Sequence, residues 1–222
     1  MNKVAVIVAG GSGTRMGSDL PKQFLKINNK PLLYYTLEVF LRAYSDLKIV
    51  LVVPEAYIEM AREIIDAYFD ETRIVITVGG ATRFESVKKG LQLVDEEAVV
   101  FVHDAVRCLV TADLVQRCYE MALETGSAIP VISCSDSARL ITGEGSEPLE
   151  REKVMLVQTP QAFHSKILLP AYQIDYKEKF TDEASVVEAF GMKVSLVEGE
   201  KNNIKVTHPH DLFIAERLLL PQ

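Results

Sequence analysis

The run VIVAGGSGTRMGSDLPKQF, Val6 to Phe24, sets Gly10, Gly11 and Gly13 among small residues and follows them with Arg15 and Lys22. Gly10, Gly11 and Gly13 let backbone N–H groups approach a ligand with no side chain in the way. Several such groups aimed at one point suit phosphate oxygens. Arg15 adds a planar, two-pronged cation and Lys22 a compact one. A structural turn beside a solvated arginine and lysine has the same composition, so the glycines alone leave both readings open.

Spacing narrows the choice. G-x-G-x-x-G begun at Gly11 ends on Met16, and neither Gly10 nor Gly11 begins G-x-x-x-x-G-K-[ST]. Hydride transfer has little use for two cations beside the loop. Phosphoryl or nucleotidyl transfer needs them where charge develops on phosphorus-bound oxygens. The loop predicts a nucleoside triphosphate site in a transferase.

Further groups with chemical capacity recur along the chain. GGATRFESV (Gly79–Val87) brings a glycine pair and the Ser86 hydroxyl, suited to a base or ribose. VHDAVR (Val102–Arg107) brings Asp104 and Arg107, which serve either ribose hydroxyls and a metal or a loop-organising ion pair. His103 reads as a packed residue at a strand end rather than a general base. Asp182 and Glu183 of TDEAS suit a helix N-terminus, and Lys205 of NNIKVTHPHDL is expected in a short strand.

Positioning these groups requires strands that end beside them. KVAVIVA (Lys3–Ala9), LKIVLVV (Leu47–Val53), RIVITV (Arg73–Val78) and AVVFVHD (Ala98–Asp104) are short, β-branched and nearly continuously apolar, as in a sheet covered on both faces. AIPVI (Ala128–Ile132) and KVSLVEG (Lys193–Gly199) extend the series. Helical spacing joins Leu33, Leu37, Phe40, Leu41 and Tyr44, then Phe84, Val87, Leu91 and Val94, and a last helix covers Asp211–Leu219. Alternating strands and helices predict a three-layer, Rossmann-like α/β domain with a mostly parallel sheet, in which ligands bind beyond the carboxyl ends of the strands. Ser133–Pro160 interrupts the rhythm; its GEGSEP centre suits either a projecting hairpin or a surface loop. No repeat or low-complexity linker divides residues 1–222.

Composition bounds the rest. The chain has 222 residues, 48% of them hydrophobic, enough for a substantial core. Its net charge of -7 argues against a general nucleic-acid binder while allowing local basic pockets. Cys108, Cys118 and Cys134 suggest no disulfide framework, and the four histidines lack zinc spacing. The apolar run at the start is too short to span a bilayer and is unlike a signal peptide, so a cytoplasmic protein with no membrane partner is expected.

Taken together, AGGSGTRMGSDLPKQF, GGATRFESV, VHDAVR, TPQAF, TDEAS and NIKVT resemble, in order and separation, the 2-C-methyl-D-erythritol 4-phosphate cytidylyltransferase family over nearly the full length. The resemblance implies a nucleotidyltransferase domain with a protruding β-arm at residues 133–160 that pairs two subunits. It implies reaction of CTP with methylerythritol phosphate, releasing diphosphate, with magnesium neutralising the triphosphate. Arg15 and Lys22 would stabilise the transition state. Ala9, Gly10, Gly11, Ser12, Gly13 and Thr14 would lie along the triphosphate, with Gly79, Gly80 and Ser86 at the cytosine end. Asp104 would lie where the substrates meet, as a metal ligand unless the triphosphate alone holds the ion. Arg107, Thr159 and Lys205 would grip the acceptor, and Arg151 would reach from the arm to the neighbouring subunit's pocket.

An acceptor phosphate is already a nucleophile at neutral pH, so no general base is required. Three positions depart from the family pattern: Cys108 replaces a usual proline, with a looser loop expected, and Ser137 and Arg139 replace threonine and lysine. Ser137 keeps a hydroxyl for substrate contact. The rival readings are a cytidylyltransferase for another polyol phosphate such as ribitol 5-phosphate, disfavoured by Ala105 and TDEAS, a nucleotide-binding regulator, and a nicotinamide oxidoreductase.

Overall fold

The computed structural model describes residues 1–11, 20–69, 71–95 and 97–219. Strand β1 (Asn2–Val8) leads through the glycine loop to the short pair β2 (Lys26–Ile27) and β3 (Lys30–Pro31), then to helix α1 (Leu32–Ala43). There follow β4 (Lys48–Val53), α2 (Ile58–Tyr68), β5 (Ile74–Val78), α3 (Arg83–Leu91), β6 (Ala98–Asp104), α4 (Ala112–Thr125) and β7 (Ser127–Ser133). Strands β8 (Arg139–Thr142) and β9 (Gly145–Pro148) form a separate hairpin. The chain then runs through β10 (Met155–Val157), β11 (Gln161–His164), α5 (Ser165–Ala171), α6 (Glu183–Ala189), β12 (Leu196–Glu198) and α7 (Pro209–Leu218).

Strands β5, β4, β1 and β6 lie side by side in parallel. The β10–β11 segment runs antiparallel to β6 and β7, and β12 pairs parallel with β7. Period-two alternation sorts each buried strand into two faces. Ala5, Ile7, Ile49, Leu51, Val99 and Phe101 pack under α1, α2 and α4. Val4, Val6, Val50, Val52, Val100 and Val102 pack under α3, α5 and α6. The result is the expected three-layer α/β arrangement with a mostly parallel sheet. Each of the buried Val, Ile, Leu and Phe side chains among these contributes about 1.5–3 kcal/mol relative to exposure.

Local signals explain several boundaries. Pro54 follows the last residue of β4. Thr82 and Glu85 form a reciprocal capping box that starts α3 at Arg83. Thr111 caps α4, which ends at Gly126 with φ of +91°, a conformation a glycine adopts without strain. Gly90 lets α3 lie close on the sheet: a Cβ there would come within 2.6 Å of Val6 Cγ1 and 2.9 Å of Val52 Cγ2.

Three expectations need correction. Lys205 lies in irregular backbone rather than a strand. A main-chain bond, Val206 N to Val106 O at 3.0 Å, ties its neighbour to the sheet's loop. KVSLVEG pairs only over Leu196–Glu198, and Val94 lies beyond the end of α3 while still packing on its core. The Ser133–Pro160 segment does hold a hairpin, turning through Gly143 and Glu144 between the paired Thr142 and Gly145. Cys108 is buried in a small core with Ile27, Leu32 and Val206.

Candidate active site

Strands β1 and β6 end side by side, Val8 against Asp104. Their following loops form a cleft of about 270 Å³. One wall is Ala9, Gly10 and Gly11; Lys22 and Gln23 close it from the next turn, and Ser86 lies opposite. Ala9 is anchored, its N–H on Val52 O at 2.8 Å and its carbonyl accepting from Gln23 Nε2 at 2.5 Å. That leaves Gly10 and Gly11 as the described loop residues whose N–H groups the sheet does not use. Ser12, Gly13, Thr14 and Arg15 lie outside the described residues.

The second glycine pair meets the first through Ser86. A Cβ on Gly10 would sit 3.6 Å from Ser86 Oγ, and one on Gly79 3.0 Å from it. Ser86 Oγ accepts from Gly80 N at 3.0 Å and donates to Thr82 O at 2.9 Å, so its hydroxyl shapes the turn. Gly80 tolerates no side chain, since a Cβ would fall 2.3 Å from Glu85 Cβ.

A second cleft of about 250 Å³ adjoins the first. Arg107, Gln158, Thr159 and Gln161 line one part of it and Thr181 and Asp182 another. Arg83, Asp104 and Lys205 line both clefts. Asp104 is the centre of this shared wall: Oδ1 lies 3.2 Å from Arg83 Nε, and Oδ2 lies 2.8 Å from Lys205 Nζ and 3.8 Å from Arg107 Nε. Burial would raise the Asp104 pKa, but Arg83, Lys205 and Arg107 outweigh it and hold the carboxyl far below its usual range. Burial also opposes the charge of Arg83, and the Glu183 and Asp104 carboxylates overcome it to raise that pKa.

Lys205 reaches this wall because its irregular segment is strapped down. Gln158 Nε2 donates to Glu200 O at 2.8 Å, Asn203 Nδ2 to Thr159 O at 2.8 Å, and Arg107 Nη1 to Asn203 O at 2.8 Å. Arg107 therefore both lines the second cleft and holds the lysine's segment. Thr159 is buried and its hydroxyl is engaged, accepting from Asp104 N at 3.1 Å and bonded to His103 Nδ1 at 3.0 Å. His103 is fully buried, and that burial lowers its pKa to about 3. It is a packed residue.

Ser137 and Arg151 do not join either cleft. Both are exposed on the arm, where Arg151 lies 3.4 Å from Ser135 O and from Glu152 Oε1. Both Asp104 oxygens already face cations, Oδ1 towards Arg83 and Oδ2 towards Lys205 and Arg107. No cluster of three or more His, Cys, Asp or Glu able to hold a metal occurs among the described residues. No described helix is long and apolar enough to cross a membrane.

Sequence reasoning missed Arg83, Glu183, Gln23, Gln158, Gln161 and Asn203. Arg83 carried the clearest signal: a cation directly after a helix-capping threonine at a strand end. Glu183 was read as a charge at a helix start. Asp182 takes that part, accepting from Ser185 N at 2.9 Å, while Glu183 is fully buried against Arg83.

The IspD family profile, described as 2-C-methyl-D-erythritol 4-phosphate cytidylyltransferase, matches residues 3–220. A protein of that description from Bacteroides thetaiotaomicron is 45% identical over 219 residues, covering 99% of this chain and 100% of the relative. One from Phocaeicola vulgatus is 46% identical over the same length and coverage. The crystal structure of 4-diphosphocytidyl-2C-methyl-D-erythritol synthase from Anaerococcus prevotii superposes with a TM-score of 0.84 at 26% identity, covering 98% of each chain.

Proposed function

This chain belongs to the 2-C-methyl-D-erythritol 4-phosphate cytidylyltransferase family, and on that premise we propose how its two clefts divide the work. The enzyme transfers a cytidylyl group from CTP to 2-C-methyl-D-erythritol 4-phosphate and releases diphosphate, in isoprenoid precursor biosynthesis. In our reading CTP occupies the first cleft, its phosphates along Ala9–Thr14 and its cytosine towards Gly79, Gly80 and Ser86. The acceptor occupies the second cleft, its phosphate between Arg107 and Lys205. The observation that carries this reading is the wall of Arg83, Asp104 and Lys205 common to both clefts, which would bring the two substrates face to face.

The reaction then needs charge and placement more than proton transfer. An acceptor phosphate oxygen attacks the α-phosphorus, and the bond to the β-phosphate oxygen breaks in line. Lys22 and Arg15 stabilise the added negative charge, and Lys205 offsets repulsion between the two anions. His103 is excluded as a base by its burial and its engaged nitrogens. A magnesium ion held by the triphosphate, with or without Asp104, would neutralise part of its charge. Thr159 shapes the acceptor cleft through Asp104, because its proton is committed elsewhere.

We further propose a homodimer of single-domain chains paired through the arm, working in the cytoplasm. Leu140 and Ile141 of the hairpin are 52% and 78% exposed, and Met155, Leu156 and Val157 are also exposed, leaving an apolar strip for a second copy to cover. Arg151 and Ser137 on this arm would then complete the partner's acceptor cleft. Three free cysteines fit a reducing compartment. Ile141→Asp should shift the sedimentation coefficient to that of a monomer and lower activity; a dimer of full activity would sink this part.

The substrates are tested by measuring diphosphate release from CTP, ATP, UTP and GTP, each with methylerythritol phosphate and with ribitol 5-phosphate. Release confined to CTP with methylerythritol phosphate is expected. Equal or faster release with ribitol 5-phosphate would overturn the acceptor assignment.

A further inference from the structure

We propose that Glu183 is a positioning residue for cytidylyl transfer, holding the Arg83 guanidinium at the junction of the two clefts so that Asp104 remains free for Lys205. The inference rests on the two-cleft reading above and adds a residue that touches neither substrate.

Glu183 is fully buried in the first turn of α6. A carboxylate in that position is tolerable only if it is paired and hydrogen-bonded. Its two oxygens take both prongs of Arg83, with Nη1 on Oε1 at 2.5 Å and Nη2 on Oε2 at 3.1 Å. Tyr172 donates its hydroxyl to Oε1 at 3.1 Å. Gln161 steadies the same turn, its Oε1 accepting from Ala184 N and its Nε2 donating to Asp182 Oδ2, both at 2.9 Å.

The pairing settles what Arg83 can do on its other side. With both prongs on Glu183, only Nε reaches Asp104, and only through Oδ1. Oδ2 is left to Lys205. Were Glu183 neutral, the fork would be free to take both oxygens of Asp104, the geometry that guanidinium and carboxylate favour. Lys205 would then lose its anchor. The shared wall would also gain one positive charge facing two polyanions, which strengthens ground-state binding without improving placement.

The test compares kcat and the KM for CTP in Glu183→Gln, Arg83→Lys and the double variant, with thermal melting as a check of folding. Glu183→Gln should lower kcat at least tenfold and lower the KM for CTP severalfold. Simple structural damage does not tighten substrate. The double variant should lose no more kcat than Arg83→Lys alone, because Glu183 acts only through that arginine. If Glu183→Gln does not fold, Tyr172→Phe serves in its place; it should lower kcat two- to threefold in the unaltered background and not at all beside Arg83→Lys. Multiplicative losses of kcat, a rise in KM for CTP, or parameters within twofold of the unaltered protein would overturn the proposal. Failure of the unaltered protein to release diphosphate from CTP and methylerythritol phosphate would instead overturn the reading beneath it.

Discussion

The Thr159 hydroxyl lies 3.0 Å from His103 Nδ1, and the far side of the ring fixes the direction of that bond. His103 Nε2 faces Arg107 O at 3.3 Å, a group that only accepts, so Nε2 carries the proton and Nδ1 accepts from Thr159. The same hydroxyl oxygen accepts from the Asp104 N–H. One threonine thus fixes the tautomer of a buried ring and the backbone beneath the central carboxylate.

Thr159→Val removes both bonds and strands a buried donor and acceptor, at about 1–3 kcal/mol each. Thr159→Ser keeps them. Urea midpoints should therefore drop clearly for valine and change little for serine. Equal midpoints for the two variants would contradict the bond assignment.

His103 makes stability depend on pH. Burial is the main cause of its lowered pKa; Asp104 opposes the shift, while Arg107 and Arg83 add to it. The unfolded chain takes a proton on this residue below about pH 6.5, whereas the folded ring does so only near 3. Stability from this group is whole above about pH 6.5 and falls with pH towards 3, by at most about 1.4 kcal/mol per unit. Below about pH 4 the depressed Asp104 carboxyl adds a loss of the same sign. His103→Gln, which can accept and donate in the same places, should flatten the dependence between pH 6.5 and 4.5 in urea titrations.

Lys205→Met removes the cation nearest Asp104 Oδ2. Turnover should fall on the order of 10²–10³-fold, the usual loss for a preorganised group facing developing charge. The KM for the acceptor should rise as well, because the same lysine lines the second cleft. Steady-state diphosphate release at varied acceptor checks both numbers.

Lys22→Ala separates catalysis from binding. Lys22 lines the first cleft beside Gly11. Turnover should fall about 10²-fold or more, while the dissociation constant for CTP rises by much less. Equal modest changes in both would mark a binding module instead of a catalyst.

Gly90→Ala sets helix propensity against packing. Alanine favours a helix interior by about 1 kcal/mol. Its methyl would press on Val6 and Val52, and overpacking of this kind costs about 1–3 kcal/mol. A lowered melting temperature is expected.

What was legible in the sequence was whatever neighbouring residues decide among themselves. AVVFVHD is continuous apolar chain and forms β6 over the residues expected. Leu33, Leu37, Phe40 and Leu41 share one helical face and one core. The glycine run, Lys22, Asp104 and Arg107 were recognisable by type and spacing, and the structure brings the described ones together. Periodicity, capping and turn chemistry act over a few residues, so a linear reading can find them.

The tertiary structure alone decided which charges meet. Arg83 and Glu183 lie 100 residues apart, and nothing near either marks the other as its partner. Their pairing depends on α6 docking beside α3 on one face of the sheet, with Gln161 of β11 holding the turn. Lys205 was misread as a strand residue because its place is set by distant side chains, Gln158, Asn203 and Arg107, rather than by its own neighbours. Local propensity can choose an element, but a buried charge finds its partner only where the packed chain removes water and leaves one geometry that satisfies both groups.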